Sequence, residues 1–399
     1  MHIAYWSPAW PIERFHNGIV TYVHWMKVEL ERQGHRVTVF TEGEEYSPNP
    51  NVNFVRLGVR DRVMRRVSRL WQPNEFWVFD YAAAIAREIL RVHRRDRIDV
   101  LETEESYGWF AEIARRTSIP LLVKLHGPAF LSLVEHERET QFGQEKIERE
   151  GRALHAAKWI VSPSVSTLSQ TLTRYGLAQK AVRHIVNPVS MARGAPLWDV
   201  RACDPNVVLF VGRFDLRKGG DVMLKAFLLV LREHPEARLI FVGPDRGVPD
   251  ADGGLLNFQT YRDRIFPAEL RNRIEYRGHL PNDEVARLRA QAMVTVVASR
   301  WENQGYALLE AMLQGCPVVS TDAGGCSESV THGETGLLAR SEDPSDFAMH
   351  ICQFLGDRNL ASSMGRAARG QVREVHSAER VAAMTLDGYR DAIGSIATG

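Results

Sequence analysis

The 399-residue chain has few cysteines, no long hydrophobic run and almost no net charge. Its four cysteines, Cys203, Cys316, Cys326 and Cys352, form no Cys-x-x-Cys pair and have no companion histidine at metal-ligand spacing. This pattern argues against a disulfide framework or a zinc site and fits a reducing compartment. We therefore expect a cytoplasmic protein.

The usual signals of membrane and nucleic-acid proteins are also absent from the sequence. No stretch approaches the roughly 18 apolar residues that span a bilayer. The start, Met1–Pro8, has no basic segment ahead of a long apolar run, so it does not resemble a signal peptide. A formal net charge of +1 gives no overall attraction to nucleic acid or membrane. Because no nucleic-acid-binding module is recognisable, we expect no nucleic acid partner.

One local basic segment runs from Arg56 to Trp71. Arginines alternate there with apolar residues, and Phe76 and Trp77 follow. Such a segment can lie on anionic lipid, bind an anionic acceptor or form a solvated helix over the first domain. The sequence leaves these alternatives open. Membrane contact would place the protein peripherally on the inner membrane face.

What the chain does contain is a repeated alternation of short apolar runs and longer amphipathic stretches. Apolar runs of this length predict strands buried on both faces, as in a parallel sheet. The runs lie at Ile3–Trp6, Val37–Thr41, Asn53–Leu57, Val100–Thr103, Leu121–Leu125, Trp159–Val161, Val207–Val211, Leu239–Val242, Ile274–Tyr276, Val294–Ala298, Val318–Ser320 and Gly336–Leu338. They are separated by helix-like segments such as Ile19–Gln33, Tyr81–His93, Val222–Glu233 and Asn282–Gln291. This alternation predicts a doubly wound α/β architecture.

The alternation begins again after an irregular, proline-rich stretch from Asn187 to Pro205. Val207–Gly212 then predicts a new first strand that enters a glycine turn. We expect two Rossmann-like domains and a terminal helical segment. Their predicted ranges are 1–190, 191–375 and 376–399.

The loop Gly212–Gly220 follows the first predicted strand of the second half and precedes a helix. Arg213 and Lys218 lie five residues apart in this loop. An arginine fork beside a lysine point charge suits a diphosphate. In open α/β sheets, ligands bind at the carboxyl ends of strands, where this loop would lie. Taken alone, the loop is equally compatible with a solvated turn.

A second segment, Ser299–Glu310, places Glu302 in a polar loop and Glu310 inside a helix that we expect from Gly305 onward. Free N–H groups at a helix N-terminus form an anion site. A diphosphate bound there would have a carboxylate on either side, each able to accept hydrogen bonds from sugar hydroxyls. Because glutamate pairs at this spacing also occur by chance, the strand–loop–helix setting carries the interpretation.

These segments resemble the family-4 retaining glycosyltransferases, whose GT-B fold has two Rossmann-like domains facing a central cleft. The family's mark is two glutamates with seven residues between them, followed by Gly-x-Pro-Val-Val and Gly-Gly. This chain has that pattern at Glu302 and Glu310, Gly315–Val319 and Gly324-Gly325. Sparser matches in the first half lie at Asn17-Gly18, Gly34–Val37, Lys124–Gly127 and Val186–Val189. The resemblance covers nearly the whole chain and is densest after residue 207.

The resemblance implies transfer of a hexose-type sugar from a UDP-, GDP- or ADP-sugar to the hydroxyl of a glycan, glycolipid or small molecule. The transfer would be retaining, with a front-face mechanism that uses no metal and no cofactor. The first domain would hold the acceptor and the second the donor. The C-terminal helix would cross back onto the first domain.

The resemblance also implies roles for individual residues. Glu302 would meet the hydroxyls of the donor sugar, and His126 would lie near the sugar's C6 end as a positioning group in catalysis. Glu310 would bind the ribose, and Gly18 would lie close to the phosphates and the acceptor. The implied donor-binding residues are Gly18, Arg213, Lys218, Gly243, Leu280, Asn303, Gln304, Gly305, Tyr306, Ala307 and Glu310.

Two sequence details qualify the resemblance. Gln304 stands where family members often have an aromatic residue, which leaves the sugar and the shape of its pocket open. Asp250 and Asp252 form the one Asp-x-Asp sequence, but no strand precedes them, so we expect a surface turn there and no metal site.

Two other functions remain alternatives at this point. One is another two-domain sugar-nucleotide enzyme, such as an epimerase or a phosphorylase. A phosphorylase would need a lysine that holds its cofactor, and nothing in the sequence indicates such a lysine. The other is a nucleotide-sugar-binding protein that has lost turnover.

Overall fold

A computed structural model of the chain describes residues 1–15, 17–42, 51–56, 58, 63, 76–191 and 194–397. The chain divides into two compact units. Unit 1 comprises Met1–Pro188 together with Ala378–Gly399, and unit 2 comprises Val189–Ser377. Each unit has a parallel sheet of its own.

The sheet of unit 1 has seven strands in the order β3-β2-β1-β4-β5-β6-β7, and all of its pairs are parallel. The strands are β1 (His2–Ser7), β2 (Arg36–Glu42), β3 (Val52–Val55), β4 (Val100–Glu104), β5 (Leu121–Lys124), β6 (Trp159–Ser162) and β7 (Ala181–His184). The chain moves from β1 to one edge of the sheet and then to the other, as in a Rossmann-like fold.

The helices that connect these strands differ widely in length. They are α1 (Gly18–Arg32), α2 (Phe76–Arg95), α3 (Trp109–Arg116), α4 (Ala129–Ser132), α5 (Glu135–Arg138), α6 (Gln141–Ala156) and α7 (Val165–Tyr175). The start of α1 is set by Asn17, whose side chain accepts a hydrogen bond from the Ile19 N–H at 2.8 Å. Such a cap satisfies one of the N–H groups that a helix start leaves without a partner.

The sheet of unit 2 has six parallel strands in the order β12-β9-β8-β13-β14-β15. They are β8 (Asp204–Val211), β9 (Arg238–Val242), β12 (Ile274–Gly278), β13 (Ala292–Val297), β14 (Val318–Thr321) and β15 (Leu337–Ala339). Two short strands, β10 (Val248–Pro249) and β11 (Leu255–Leu256), pair antiparallel outside this sheet.

Helices of unit 2 follow most of these strands. They are α8 (Gly220–Glu233), α9 (Phe258–Ile265), α10 (Asn282–Gln291), α11 (Tyr306–Gln314), α12 (Cys326–Ser329), α13 (Pro344–Gly356) and α14 (Arg358–Val375). The chain then returns to unit 1 as α15 (Ala378–Ala397). There the Tyr389 hydroxyl lies 2.7 Å from that of Tyr5 on β1 and donates to Glu102 on β4 at 2.8 Å.

The core of unit 2 explains why its strands are continuous apolar runs. Val208 and Phe210 of β8 belong to one buried cluster, together with side chains of α8 and α13. Val207 and Leu209, on the opposite face of the same strand, belong to another cluster with side chains of α10. Because helices cover both faces, each of the buried positions Val207, Val208, Leu209 and Phe210 favours an apolar residue. The predicted doubly wound α/β architecture is therefore confirmed.

Three segments of unit 1 differ from the sequence-based expectation or lie partly outside the described residues. β7 was not predicted, because it is an edge strand whose residues alternate between half-buried and exposed and so carry no apolar run. The predicted strand Asn53–Leu57 corresponds to β3, Val52–Val55. The basic segment Arg56–Trp71 lies outside the described residues, apart from positions 56, 58 and 63.

Candidate active site

The loop after β8 carries Arg213 and Lys218, and Asp215 holds both of them. The Arg213 Nε donates to one carboxylate oxygen of Asp215 at 2.6 Å. The backbone N–H of Lys218 donates to the other oxygen at 2.7 Å. Asp215 therefore fixes the shape of the loop between the two cations, a role that the sequence did not suggest.

Lys218 reaches the second predicted segment. Its Nζ donates to Oε1 of Glu302 and forms an ion pair with it, and the Ser299 Oγ donates to the same oxygen at 2.8 Å. The two predicted segments, which are 84 residues apart in sequence, thus meet through a charged contact. Ser299 lies three residues before Glu302, a spacing that could have marked it as a partner.

The environment of Glu302 keeps its carboxyl group ionised. Burial alone would raise the pKa of this group. The positive charges of Lys218 and Arg217, with hydrogen bonds from Lys218 and Ser299, outweigh burial and hold the pKa of Glu302 below its usual value. An ionised carboxylate accepts hydrogen bonds and donates none, which suits a partner for sugar hydroxyls.

Glycines allow the loops around Glu302 to approach so closely. Gly219 has φ +68°, and a Cβ there would lie 1.8 Å from the carbonyl oxygen of Ala298. Gly324 has φ +61°, and a Cβ there would lie 2.1 Å from the carbonyl oxygen of Glu302. The same oxygen accepts from the Gly325 N–H at 2.9 Å. A side chain at either position would force the loops apart.

Helix α11 starts beside Glu302. Gly305 is its N-cap residue and, as a glycine, has no side chain with which to cap the helix. The Gly305 Cα faces Glu302, whose Cδ would be 3.5 Å from a Cβ at this position. Asn303 and Gln304 are buried next to it, and Tyr306 and Ala307 form the first turn. The start of α11 can therefore offer backbone N–H groups to an anion near the carboxylate.

Glu310 lies farther along α11 and has a buried partner. Arg289 of α10 donates from Nη2 to Oε2 of Glu310 at 2.7 Å. The arginine side chain is 4% exposed, whereas that of Glu310 is 30% exposed. One carboxylate oxygen is thus held from the protein side. Arg289 was not predicted as a site residue, because it lies on a helix of ordinary amphipathic pattern.

Gly243 follows β9, which pairs with β8, and Leu280 follows β12, the edge strand next to β9. The Gly243 N–H donates to the carbonyl of Gly278 at 2.7 Å, and the Tyr276 hydroxyl donates to the Gly243 carbonyl at 3.0 Å. Leu280 packs at the edge of the buried cluster under these strands. Both predicted residues therefore lie at the same end of the sheet as Arg213.

Gly18 and His126 belong to unit 1. Gly18 is the first residue of α1, and Tyr22 lies one turn farther along. The Tyr22 ring meets the His126 ring edge-on, with centroids 5.2 Å apart. Helix α1 and the loop after β5 are therefore in contact at the carboxyl ends of β1 and β5.

Buried carboxylates hold the backbone of the His126 loop. Glu105 accepts from the His126 N–H at 3.0 and 2.9 Å and from the Gly127 N–H at 2.6 Å. Glu150 of α6 accepts from the Ala129 N–H at 2.7 Å. Sequence reasoning missed both acids, although for Glu105 the consecutive glutamates at the end of β4, Glu104-Glu105, are a recognisable signal.

The His126 side chain is neutral. Burial lowers the pKa of its imidazole well below the usual value, and the charge of Lys124 lowers it further. A neutral imidazole can donate one hydrogen bond and accept another, but it supplies no positive charge. This agrees with a positioning role.

Three further observations concern metals, disulfides and membranes. Asp250 of the Asp-x-Asp sequence is held by the Arg264 guanidinium at 2.8 and 3.0 Å. Among the described residues, no group of three or more His, Cys, Asp or Glu side chains could hold a metal ion. All four cysteines are free and buried. None of the helices in the described ranges is both long and apolar enough to cross a membrane.

Two family models match the chain. Residues 200–371 match the model described as "Glycosyl transferases group 1". Residues 16–193 match the model described as "Glycosyltransferase Family 4". The first match contains Arg213, Lys218, Glu302 and Glu310, and the second contains Gly18 and His126.

Similar proteins extend over almost the full chain. A D-inositol 3-phosphate glycosyltransferase of Paenarthrobacter aurescens (strain TC1) is 26% identical over 395 residues, which are 95% of this chain and 94% of the relative. Sucrose-phosphate synthase of Thermosynechococcus elongatus has a TM-score of 0.77 at 21% identity and covers 99% of both chains. Anabaena Alr3699/HepE, solved with UDP and glucose, has a TM-score of 0.69 at 16% identity, covering 98% of this chain and 100% of its own. These structures share the GT-B fold with the chain.

Proposed function

The chain belongs to the family-4, group 1 glycosyltransferases, and we propose that it moves a hexose-type sugar from a nucleoside-diphosphate sugar to a hydroxyl acceptor, with retention at the anomeric carbon. The observation that carries this proposal is the contact of Lys218 with Glu302. It joins a cation suited to the donor's phosphates to a carboxylate suited to its sugar.

The chemistry of the proposed step follows from the charges that develop. The bond between the anomeric carbon and the diphosphate oxygen breaks, so positive charge builds on the sugar and negative charge on the diphosphate. Arg213, Lys218 and the start of α11 stabilise the departing anion without reorganising. The acceptor oxygen bonds to the same face of the anomeric carbon, and its proton passes to the departing phosphate.

Each carboxylate has a separate role in this proposal. Glu302, ionised and fixed by Lys218 and Ser299, accepts hydrogen bonds from hydroxyls of the donor sugar. Glu310, with one oxygen on Arg289, offers the other to the ribose. Gly243 and Leu280 bind the nucleoside, and the backbone from Asn303 to Ala307 meets the sugar and the diphosphate.

Unit 1 binds the acceptor in this proposal. His126 positions the sugar near C6 as a neutral imidazole, and Gly18 lies close to the phosphates. The two units thus bind different substrates: unit 1 binds the hydroxyl acceptor, and unit 2 binds the nucleotide. The acceptor is a glycan, a glycolipid or a small molecule, as the D-inositol 3-phosphate relative illustrates for its own reaction.

The donor is a UDP-, GDP- or ADP-sugar, and the reaction proceeds without metal or cofactor. The UDP and glucose bound to the Anabaena neighbour favour testing UDP-sugars first. The charges that a metal would supply to the diphosphate come from Arg213 and Lys218 instead. We also propose a cytoplasmic location, which suits four free, buried cysteines.

Two variants test the proposed roles. Glu302→Gln keeps the size of the side chain but removes its charge, so turnover should fall by about a hundredfold or more while nucleoside-diphosphate affinity stays near that of the wild type. Lys218→Ala should instead weaken nucleoside-diphosphate binding by about tenfold. Donor hydrolysis and transfer give the turnover, and calorimetry with UDP, GDP and ADP gives the affinity.

The same experiment separates the alternative functions. Wild-type turnover in Glu302→Gln would refute the role of this residue. Donor binding without turnover across a broad acceptor panel would favour a non-catalytic nucleotide-sugar-binding protein. Conversion of the donor into a different sugar product, and not simply its hydrolysis, with no acceptor present would favour an epimerase-like enzyme.

We propose peripheral membrane contact through Arg56–Trp71, on sequence alone. Its arginines and apolar residues suit an anionic lipid surface. Flotation with liposomes that contain anionic lipid should therefore recover the protein at low salt and lose it at high salt. Neutral liposomes are the control, and salt-independent or absent flotation would contradict the proposal.

A further inference from the structure

Arg300 lies in the loop after β13, two residues before Glu302, and its side chain connects three loops of unit 2. The guanidinium donates to both carboxylate oxygens of Asp221, from Nη1 at 2.8 Å and from Nη2 at 2.9 Å. Nη1 also donates to the carbonyl of Leu216. Nε donates to Glu342 at 2.9 Å. Every nitrogen of the planar fork is thus used.

The partners of Arg300 belong to the loops that follow β8 and β15 and to the start of α8. Leu216 lies two residues before Lys218, and Asp221 lies in the first turn of α8, three residues after it. The backbone adds a further link, because the Arg300 N–H donates to the Arg217 carbonyl at 3.0 Å. The segment that contains Lys218 is therefore bonded to Arg300 on both sides of the lysine.

Burial strengthens these hydrogen bonds. The Arg300 side chain is 20% exposed and that of Asp221 is 7% exposed, so water competes little for the bidentate pair. Charge-assisted, bidentate Arg–carboxylate pairs are strong, and they also fix the relative orientation of the two side chains. Glu342, which is more exposed, adopts φ +63° while accepting from Nε.

We propose that Arg300 is a positioning residue for the transfer reaction, which sets the distance between the Lys218 ammonium and the Glu302 carboxylate. Arg300 acts through these two groups and does not itself touch the substrate. Lysine cannot replace it, because a single ammonium cannot bond both oxygens of Asp221 and the Leu216 carbonyl in one plane.

The inference rests on the proposed roles of Lys218 and Glu302, so the test includes both of their variants. Arg300→Lys should lower kcat/KM by between about tenfold and a hundredfold, since small displacements of catalytic groups have effects of this size. It should also weaken binding of the nucleoside diphosphate, chosen from UDP, GDP and ADP as the one that gives the largest thermal shift with the wild type. Glu342→Gln, which removes only the exposed partner's charge, should have a smaller effect.

The decisive measurement is the double variant Arg300→Lys with Lys218→Ala. If Arg300 acts by placing Lys218, its replacement should change nucleoside-diphosphate affinity by less than about twofold once the lysine side chain is gone. A purely structural role would instead reduce affinity by the same factor in both backgrounds. Arg238→Lys is the matched control, because Arg238 also pairs with an aspartate but lies at the amino end of β9.

Each outcome has a distinct meaning. Equal effects of Arg300→Lys with and without Lys218 would overturn the inference. Unchanged affinity in Lys218→Ala and unchanged turnover in Glu302→Gln would instead overturn the proposed function. Thermal unfolding of each variant, compared with Arg238→Lys, shows whether a loss of fold accounts for the change.

Discussion

The pKa of Glu150 depends mainly on the burial of its carboxyl group in the fold. This residue lies on α6 beside Glu104 and Glu105 of the neighbouring strand end, and Lys146 is the cation that acts on it. Burial raises the pKa of Glu150 to about 8, and burial with the charge of Glu105 raises that of Glu104 to about 7. Near neutral pH, this carboxyl cluster therefore holds protons that exposed glutamates have lost.

The sign of the pH effect follows from these values. Burial lifts the pKa of Glu150 from an ordinary 4.5 to about 8, so between these values the folded chain keeps a proton that the unfolded chain releases. The stability contributed by this proton is complete below the lower value and is lost as pH rises through the upper one. Glu150→Gln resembles the protonated form and can still accept from the Ala129 N–H.

We therefore expect Glu150→Gln to gain stability relative to the wild type as pH rises from about 6 to about 9, by about 2–3 kcal/mol. Chemical denaturation at several pH values measures the difference. Glu29→Gln is the control, because hydrogen bonds from Arg32 lower the pKa of Glu29 and leave it ionised throughout this range. A constant difference between Glu150→Gln and the wild type would contradict the prediction.

The candidate site was partly predictable residue by residue. Arg213, Lys218, Glu302 and Glu310 were identified from their places in strand–loop–helix segments. Apart from Ser299, their partners were not, because only the fold brings these side chains together. Asp215 lies three residues before Lys218 in a charged loop, like many surface acids, and Arg289 lies on an ordinary amphipathic helix. Each nevertheless holds a predicted residue in place.

At the scale of elements, buried strands were the most predictable features of the chain. A strand covered on both faces favours a continuous apolar run, and β8, β9 and β13 each contain one, at Val207–Val211, Leu239–Val242 and Ala292–Val297 with Thr295 as its one polar residue. β7 has one neighbour in the sheet and alternating exposure, so its four residues resemble a loop. The short helices α4 and α5 were also missed, because one helical turn carries no periodicity.

The close approach of the loop backbones could not be predicted from the strands themselves. Gly219 and Gly324 follow different strands, and both are needed where backbones nearly touch. The sequence marks each as a glycine after a strand, which is a common turn signal. Only the fold shows that Gly219 faces Ala298 and that Gly324 faces Glu302. Close packing of loops therefore depends on sheet order, which arises from the whole unit.

At the scale of the whole molecule, the chain leaves unit 1 and returns to it through α15. The return is anchored by buried polar groups as well as by apolar packing. The Tyr389 hydroxyl donates to Glu102 and lies 2.7 Å from the Tyr5 hydroxyl. Burial raises the pKa of Glu102, while Lys124 and hydrogen bonds from Tyr22 and Tyr389 act in the opposite direction. The last helix thus contributes to the charge balance of the first sheet.

Tyr389→Phe removes this anchor without removing the ring. We expect a loss of about 1–3 kcal/mol, because the Glu102 carboxylate and the Tyr5 hydroxyl each lose a buried partner. The loss of stability should be confined to unit 1. Hydrogen exchange should therefore accelerate in β1, β4 and α15, while β8 and β13 keep their wild-type rates.

A tyrosine of the other unit provides the matched control. Tyr276 donates its hydroxyl to the Gly243 carbonyl, so Tyr276→Phe should accelerate exchange in β9 and β12 and leave β1 and β4 unchanged. It should also reduce the thermal shift given by a nucleoside diphosphate, which Tyr389→Phe should preserve. Faster exchange in β8 and β13 of Tyr389→Phe would mean that the two units unfold together. In that case α15 would stabilise the whole chain and not its first unit alone.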